Sequence, residues 1–418
     1  MIPVGSNEQE ASGSWNESKG IVIFDPSKWT GITGIYFVCA GYVSRDTYKV
    51  QIELYDKSNL SSIVINEYTT TSPVLKLSAD IKSSFETYKQ VTVRVKTDQT
   101  GGANTGKSRG AYIMVTQEIN DWDKKSVSYY QAWFKQTGQT LGVWNNCHTL
   151  PFYPKLENCD GIIRAHIETN TYTSTGQPGY VKLYDNTAAA DVLNSLITVT
   201  GVSNAHYESP ELILYPNHNY TIRSKNAGFF GSYETFNNIL RIEHRRFSKI
   251  VSVPVNIYLP DKISTSGFTD HVPTYQYNAE TIDASGDKTI NLDYIVCGFS
   301  TPAADVNYRW YDKTGSAVID GTEHLENFDG LVTTTRNETP TMPEANSNIT
   351  FQSDSSKVYY ILNGYLQATL EEESACEAYI EAKRKICDGY HSFIKQFIEN
   401  MSAGHTPLFT PDAVNRCW

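Results

Sequence analysis

One stretch of the sequence has the spacing of a phosphate-binding loop. Residues 101–108 read Gly-Gly-Ala-Asn-Thr-Gly-Lys-Ser, which fits the pattern Gly-x-x-x-x-Gly-Lys-Ser/Thr. Phosphate binding needs this loop to lie between a strand and a helix whose N-terminus faces the phosphates. Here residues 110–117 have the pattern of a strand, and the similar segment 226–231 is rich in glycine but lacks the Lys-Ser pair. We therefore predict a hairpin loop, with no bound nucleotide and no other cofactor.

Metal ligands are scattered along the sequence. The nine histidines include no His-x-x-x-His, and the seven cysteines include no Cys-x-x-Cys. Residues 120–123, Asn-Asp-Trp-Asp, offer oxygen ligands for calcium, but the pattern is short and the second copy of the repeat described below lacks it. We predict that no metal is bound and that the cysteines are reduced thiols.

No arrangement of residues favours a particular reaction. Paired carboxylates for glycoside hydrolysis are spaced in the fold rather than along the chain, and the sequence favours no pair. We therefore predict a protein that is not an enzyme, with no catalytic residues.

The net charge of −11 argues against a nucleic-acid partner, which needs a basic face. No run of eighteen apolar residues indicates a membrane span, and residues 1–19 lack the features of a signal peptide.

A repeat of domain length organises the chain. Tyr-Asp pairs begin at residues 55, 184 and 311, and each ends a stretch with the pattern of a strand. The segment 13–16, Gly-Ser-Trp-Asn, returns at 142–145 as Gly-Val-Trp-Asn. Short alternating strands separated by turn residues are typical of a two-sheet sandwich. The sequence therefore predicts a mainly β protein of three tandem β-sandwich, jelly-roll-like domains with a C-terminal α-helix.

The repeat also sets the predicted boundaries. They are an N-terminal arm at 1–12, β-sandwich repeats at 13–141, 142–267 and 268–373, and an amphipathic helix with a tail at 374–418. The arm is expected to be loose. Strands near 126–134 and 251–259 are expected to close the first and second copies and lead into the next one, which predicts short, stiff junctions.

The terminal segment has a different pattern from the rest. Ser374 and Glu377 have the spacing of a capping box, and apolar residues follow at helical spacing. One interpretation is that this helix packs back on the third copy. The other is that it docks into a partner or self-associates. The residues predicted for docking are Tyr379, Ile380, Ile386, Tyr390, Phe393, Ile394, Phe397 and Met401.

The second copy resembles the galactose-binding-like jelly-roll sandwich. The residues that carry the resemblance are 180–185, 193–195, 208–214 and 219–223. The resemblance covers the first two copies and part of the third, and it does not cover the terminal helix. It implies a module that binds glycans or serves as a building block in bacterial surface and phage proteins. Tandem β-sandwich domains without a signal peptide also resemble virion components of tailed bacteriophages, such as collar, tail or capsid-decorating proteins.

Two functions follow as hypotheses. The first is a virion structural protein, assembled in the host cytoplasm, whose partners are other subunits of a large assembly and copies of itself. The alternative is a glycan-binding, lectin-like adhesion protein. Under this alternative, Trp15 and Trp144, which lie at matching positions of the repeat, stack on sugar rings, whereas otherwise they belong to the core.

Overall fold

The computed structural model describes most of the first 370 residues. The described ranges are 2–4, 8–72, 74–98, 106–117, 124–131, 135–136, 142–146, 161–173, 177–215, 218, 220–227, 233–246, 249–255, 263–277, 290–338, 340–343 and 347–370. Within them the protein is mainly β and its strands form several sheets, as predicted. The predicted helix and tail at 374–418 lie outside these ranges, so the helix and its docking residues stay a prediction.

The first part of the chain forms two facing five-stranded sheets. Its strands are β1 Ile2–Pro3, β2 Glu8–Glu10, β3 Asn16–Glu17, β4 Val22–Phe24, β5 Ile32–Val43, β6 Val50–Asp56, β7 Ser61–Tyr68, β8 Val74–Leu77, β9 Lys89–Thr97 and β10 Gly106–Gln117, with short 3-10 helices at Pro26–Lys28 and Lys82–Phe85. One sheet has the order β1-β10-β5-β8 with β2 on β10, and the other has the order β3-β9-β6-β7 with β4 on β9. Alternate residues of β6 and β9 are apolar and buried, so these strands turn one face to the core.

A second pair of five-stranded sheets follows. Its strands are β11 Lys124–Gln131, β12 Lys135–Gln136, β13 Asn145–Asn146, β14 Gly161–Thr173, β15 Gly179–Asp185, β16 Ala190–Asp191, β17 Ile197–Val199, β18 Ala205–Glu208, β19 Tyr220–Asn226 and β20 Tyr233–Arg246. One sheet has the order β11-β20-β14-β18 with β12 on β20, and the other has the order β13-β19-β15-β16 with β17 on β15. A separate hydrophobic core, which includes Ile167, Leu183 and Ile222, belongs to this pair.

The last described part forms a single six-stranded sheet with long strands. They are β21 Lys249–Val255, β22 Ile263–Tyr277, β23 Ile290–Asp312, β24 Ala317–Val318, β25 His324–Glu338 and β26 Ser347–Leu370. The order is β21-β26-β23-β24, with β22 on β26 and β25 on β23. Strand β23 continues through the break that separates β5 from β6 and β14 from β15, and its pairing shifts register between Phe299 and Asn307.

Each of the repeated Tyr-Asp pairs begins the same turn. One carboxylate oxygen of Asp56 accepts hydrogen bonds from the backbone N–H groups of the residues two and three positions later, at 2.8 and 3.2 Å. Asp185 accepts the equivalent bonds at 2.9 Å each, and Asp312 accepts them at 2.8 and 3.0 Å. The residue four positions after each aspartate has a positive φ; these residues are Leu60, Ala189 and Ser316. The turn is therefore the same at all three sites.

The partners of the second carboxylate oxygen repeat as well. They are Lys89 for Asp56, His218 for Asp185 (2.6 Å) and Ser347 for Asp312 (3.2 Å). These three partners are spaced 129 residues apart in the sequence. The strand-and-turn unit thus recurs three times, whereas the division of the chain into three tandem domains with the predicted boundaries stays a prediction.

The described residues of the N-terminal arm are paired, which differs from the loose arm predicted for 1–12. Ile2 lies opposite Ile113 of β10, and Glu10 lies opposite Lys107. Ile2 and Val4 are fully buried in the first core. Burial of these apolar side chains and pairing with the edge of β10 account for the order of the arm.

Strand β11 joins the first pair of sheets to the second. Its backbone pairs with β20 from Lys124 to Gln131, although we expected residues 126–134 to close the first copy. Its side chains Val127 and Tyr129 nevertheless lie in the hydrophobic core of the first pair. The backbone groups of β11 form their hydrogen bonds with the edge of β20. The apolar side chains of β11 are buried in the first core. One strand therefore belongs to both pairs of sheets.

Candidate functional site

The phosphate-loop pattern ends inside a strand. Residues 101–105 lie outside the described ranges, but Gly106, Lys107 and Ser108 are the first residues of β10 and pair with β5. A strand at this position has no helix N-terminus to hold phosphates. The predicted hairpin is wrong, because β9 and β10, the strands before and after this loop, lie in different sheets and do not pair with each other. The same segment also has the Gly-x-Ser-x-Gly spacing of a nucleophile elbow, but Ser108 is only 2% exposed within the strand.

Most of the other residues considered for a metal site from sequence alone lie outside the described ranges. These are residues 120–123 and five of the seven cysteines. Cys39 is a buried free thiol on β5, as expected for a small core residue. Its Sγ lies 3.0 Å from the hydroxyl of Tyr68 and accepts a bond from Asn66.

Trp15 lies on an outer sheet face that combines aromatic rings with cations. We define the first aromatic face as Trp15, Glu53, Tyr55, Arg94 and Lys96, on or beside β3, β6 and β9. The Arg94 guanidinium lies 3.5 Å from the ring centre of Tyr55 and 5.2 Å from that of Trp15. Arg94 also forms an ion pair of 2.6 Å with the buried Glu53. Trp15 is partly buried, so it belongs to neither the interior nor the fully exposed surface.

Trp144 lies on the equivalent face of the second pair of sheets. The second aromatic face consists of Trp144, Tyr180, Lys182, Tyr184, Arg223 and Lys225. The ammonium groups of Lys182 and Lys225 lie 3.9 and 4.8 Å from the ring centre of Trp144, and Arg223 lies 3.3 Å from that of Tyr184. The position of Glu53 is taken here by Lys182, whose partner is Asp191 at 2.6 Å.

The third sheet carries a smaller version of this arrangement. The Arg309 guanidinium lies 3.5 Å from the ring centre of Phe268 and 5.3 Å from that of Tyr311. Stacked rings beside cations hold their side chains in fixed positions and present both π-faces and positive charge. Such a surface suits a ligand that has flat apolar faces and negative charge.

A buried charged cluster occupies the outer face of the sheet β11-β20-β14-β18. We define the Arg241 cluster as Arg241, Glu168, Glu208 and Glu243. Arg241 is 2% exposed and lies 2.7 Å from Glu168 and 3.0 Å from Glu243, and it also contacts Glu208. Burial opposes the charge on Arg241, but the attraction of the three carboxylates outweighs it and raises the pKa of Arg241. The guanidinium is therefore charged at any working pH.

The Arg241 cluster lies where the first and second pairs of sheets meet. Lys28, beside the first pair, forms an ion pair of 2.8 Å with Glu243. Burial raises the pKa of Tyr129 on β11, and the nearby charge of Glu168 adds to the effect. Two further polar contacts cross the same junction. They are Asn170 to the carbonyl of Ile21 and Asn204 to the carbonyl of Lys19, each at 2.9 Å.

Sequence reasoning missed this cluster. Its carboxylates come from β14, β18 and β20, so no short motif contains them. A partial signal was available for Glu208 and its neighbour His206, because residues two apart in a strand lie on the same face of the sheet. The prediction that no metal is bound considered only ligands close together in sequence.

Comparisons with known proteins give only remote structural likenesses. No family model and no curated protein matches the sequence. The N-terminal CBM22-1–CBM22-2 tandem domain of Xyn10C from Paenibacillus barcinonensis aligns at 10% identity, covering 59% of this chain and 91% of that one, with a TM-score of 0.19. Infectious bursal virus derived T=1 particles align at 10% identity over 91% of this chain and 79% of that one, with a TM-score of 0.21.

A third structure gives a similar result. Sulfolobus turreted icosahedral virus aligns at 10% identity, covering 88% of this chain and 85% of that one, with a TM-score of 0.16. TM-scores of this size carry no argument about function. Among the described residues, no helix is long and apolar enough to cross a membrane.

Proposed function

We propose that the chain is a non-enzymatic structural subunit of a virion, of the collar, tail or capsid-decorating kind in a tailed phage. In this proposal three tandem sandwiches form a stiff body that docks into the assembly through the helix at 374–418. The location is the virion, and the partners are other subunits and copies of this chain.

The junction at β11 is the observation that supports this proposal best. A single strand takes its backbone partners from the second pair of sheets and buries its side chains in the first. Two hydrogen bonds between Thr30 and Lys125 fix its start: the Thr30 N–H donates to the Lys125 carbonyl at 3.1 Å, and the Lys125 N–H donates to the Thr30 hydroxyl at 2.9 Å. Sheets joined in this way keep one orientation, which suits a building block better than a flexible string of binding modules.

Solution mass tests the assembly role. We expect the full chain to be oligomeric by light scattering, and a chain ending at Glu373 to be monomeric, because the apolar helical stripe is then absent. A full-length variant with Ile380→Asp and Phe397→Asp should behave like the truncated chain. If the full chain and the truncated chain are both monodisperse monomers, self-assembly through the helix is contradicted.

A second candidate function is glycan binding, and the two aromatic faces support it. Trp144 is partly exposed and is accompanied by Lys182 and Lys225, so this face suits a sugar that carries acidic groups. The first face has one cation fewer and a buried carboxylate in its place. A glycan array with the full chain should show acidic glycans among the ligands.

Matched variants separate the two faces. Trp144→Ala should abolish array signals, whereas Trp15→Ala should reduce them less because its face is less cationic. Tyr215→Ala serves as a control, since Tyr215 is 57% exposed and lies outside both faces. An array without acidic glycans, or signals that survive both tryptophan variants, would contradict the glycan-binding function and leave the structural one untouched.

A further inference from the structure

Two carboxylates and an imidazole converge beside Arg241. Glu168 of β14 lies directly opposite Glu208 of β18, and His206 lies two residues before Glu208 on the same face. One ligand atom from each of these side chains lies within 4.8 Å of the other two. Like charges opposite each other across a strand pair destabilise a sheet unless something compensates them.

Two members of this group, Glu168 and His206, have side-chain polar atoms that lack hydrogen bonds to other described residues, whereas Glu208 accepts one from Arg241. Both carboxylate oxygens of Glu168 and both ring nitrogens of His206 have no hydrogen-bond partner in the part of the chain that the structure describes. Their side chains are 2% and 7% exposed. Arg241 lies 2.7 Å from one Glu168 oxygen, but this contact is an ion pair without hydrogen-bond alignment. Buried polar atoms without partners are costly, so a ligand that satisfies them would be favoured.

The charge balance also favours a cation. Three carboxylates, Glu168, Glu208 and Glu243, face two fixed positive charges, those of Arg241 and Lys28. One negative charge is left when the histidines are neutral. His166 approaches Glu208 at 3.2 Å but also contacts the backbone carbonyl of Ser209, so its ring is already engaged.

We propose that Glu168, His206 and Glu208 form a binding site for a divalent transition-metal ion of the zinc type. One imidazole nitrogen with two carboxylate oxygens is a donor set that zinc accepts, whereas magnesium prefers oxygen ligands and retains its waters. Glu208 is 32% exposed, so solvent reaches the site and water completes the coordination.

The geometry needs only small side-chain movements. Donors of a tetrahedral site with bonds of about 2 Å are about 3.3 Å apart. The ligand atoms here lie within 4.8 Å, so rotations that move each donor by about 1 Å close the site. The ion would link β18, at the edge of its sheet, to β14 and would add a fixed contact next to the junction with the first pair of sheets.

Calorimetric titration of the full chain tests the site. After chelator treatment and dialysis, the chain is titrated with zinc chloride and, separately, with magnesium chloride. We expect one zinc ion per chain at this site and no comparable magnesium binding. His206→Gln and Glu208→Gln should each weaken zinc binding at least about tenfold, since even residues behind the ligands affect affinity to that degree. His324→Gln, a partly buried histidine on the third sheet, is the matched control and should bind as wild type.

Two further readouts separate this site from binding at thiols. The absorption spectrum of the cobalt(II) form should show nitrogen and oxygen ligation without the intense thiolate band. Zinc should raise the unfolding temperature of the wild type and of His324→Gln, but not that of His206→Gln. The effect of zinc on each variant is measured against the metal-free unfolding temperature of that same variant, because Glu208 also contacts the buried Arg241. The proposal is overturned if no zinc binds, or if both ligand variants bind zinc as tightly as wild type.

Discussion

The outer faces of two equivalent sheets carry opposite chemistry. The hydrogen bond from the N–H of Phe37 to Ser78 matches the one from Ile167 to Ser209, so β5 and β8 correspond in register to β14 and β18. In the first sheet the outer residues are Tyr36, Val38, Leu75, Leu77, Tyr112 and Met114. At the matching positions the second sheet has His166, Glu168, His206, Glu208, Ile239 and Arg241.

The difference shows that the residues of the two faces are selected for different reasons: the inner residues set the register, and the outer residues suit the part of the molecule that covers them. The inner residues Ile35, Phe37 and Cys39 fix the register of β5, because a slip of one residue would expose them. The outer face adapts to what covers it. Strand β22 of the third sheet lies against β5 and β10, whereas the first pair of sheets covers the Arg241 cluster.

Among these variants, replacement of Arg241 on the outer face of the second sheet should have the largest effect on the free energy of unfolding. Arg241→Met introduces the residue found at the matching position 114 and leaves Glu168 buried without its partner. We expect a loss of about 3–5 kcal/mol in the free energy of unfolding, measured by urea denaturation. Met114→Leu, which keeps the volume of a partly buried apolar side chain, should cost less than about 1.5 kcal/mol.

A triple exchange tests whether the loss comes from charge. Arg241→Met combined with Glu168→Val and Glu208→Leu gives the second face the residues of the first at these three positions. Replacing a buried charged group completely by apolar residues is often neutral or stabilising, so the triple variant should recover most of the stability that Arg241→Met loses. A triple variant as unstable as the single one would show that shape, and not charge, sets the difference between the two faces.

The turns at Asp56 and Asp185 should respond equally, because each aspartate accepts the same pair of backbone N–H bonds and has one further side-chain partner. Asp56→Ala and Asp185→Ala each remove an acceptor of two backbone N–H groups and an ionic or polar partner. We expect each to cost about 2 kcal/mol in urea denaturation. Asp46→Ala, at an exposed position, is the control and should stay within about 0.5 kcal/mol. Unequal losses would show that the two turns share their backbone conformation but not the contribution of the aspartate side chain to stability.

These turns also predict an acid sensitivity shared by both regions. Burial opposes the ionisation of Asp56 and Asp185, but bonds from Lys89 in one case, and from Ala188 and His218 in the other, lower the pKa of each carboxyl below 3.8. The stability that they contribute is present above about pH 4 and is lost as the pH falls through the lowered values. Urea midpoints measured from about pH 6 down to about pH 2 should fall more steeply for the wild type than for Asp56→Asn or Asp185→Asn. Parallel curves would contradict this assignment.

The smallest effect concerns Cys39, whose counterpart on β14 is Thr169. Burial raises the pKa of the Cys39 thiol to about 11, so little thiolate exists at pH 8. Mass spectrometry should therefore find the Cys39 peptide unmodified by iodoacetamide in the native chain and alkylated in urea. Rapid labelling of the native chain would show that this core opens more readily than that of a closed sandwich.

The sequence predicts the strands of the first part well because their alternation is clear. In β6 and β9, for example, every second residue from Val50 to Leu54 and from Val91 to Val95 is apolar, and these residues form the buried face of each strand. The repeated turn was also visible, since Tyr-Asp marks each strand end. Alternation identifies a strand and its buried face, but not the strand with which it pairs. The pairing of the arm at 1–12 with β10 and of β11 with β20 was therefore not predicted.

The grouping of Glu168, His206 and Glu208 beside Arg241 could not be predicted from the sequence for the same reason. Glu168, His206 and Arg241 come together only when β14 is paired on both sides, and this pairing depends on contacts distant in sequence. The serines at 78 and 209 bond to matching strands in the two copies, but this match and the position of Glu208 opposite Glu168 are visible only in the structure. The aromatic faces were partly predictable, because the tryptophans at 15 and 144 recur with the repeat.

The double role of β11 has a consequence for synthesis on the ribosome. The first hydrophobic core includes Val127 and Tyr129 of β11 and also Ile239 of β20. At the usual rate of translation, the chain between the end of β10 and Ile239 takes on the order of ten seconds to appear. During that interval the nascent first sandwich has an incompletely covered apolar surface. Chaperone binding should therefore be strongest on nascent chains that end between these two points, and it should fall once β20 has left the exit tunnel.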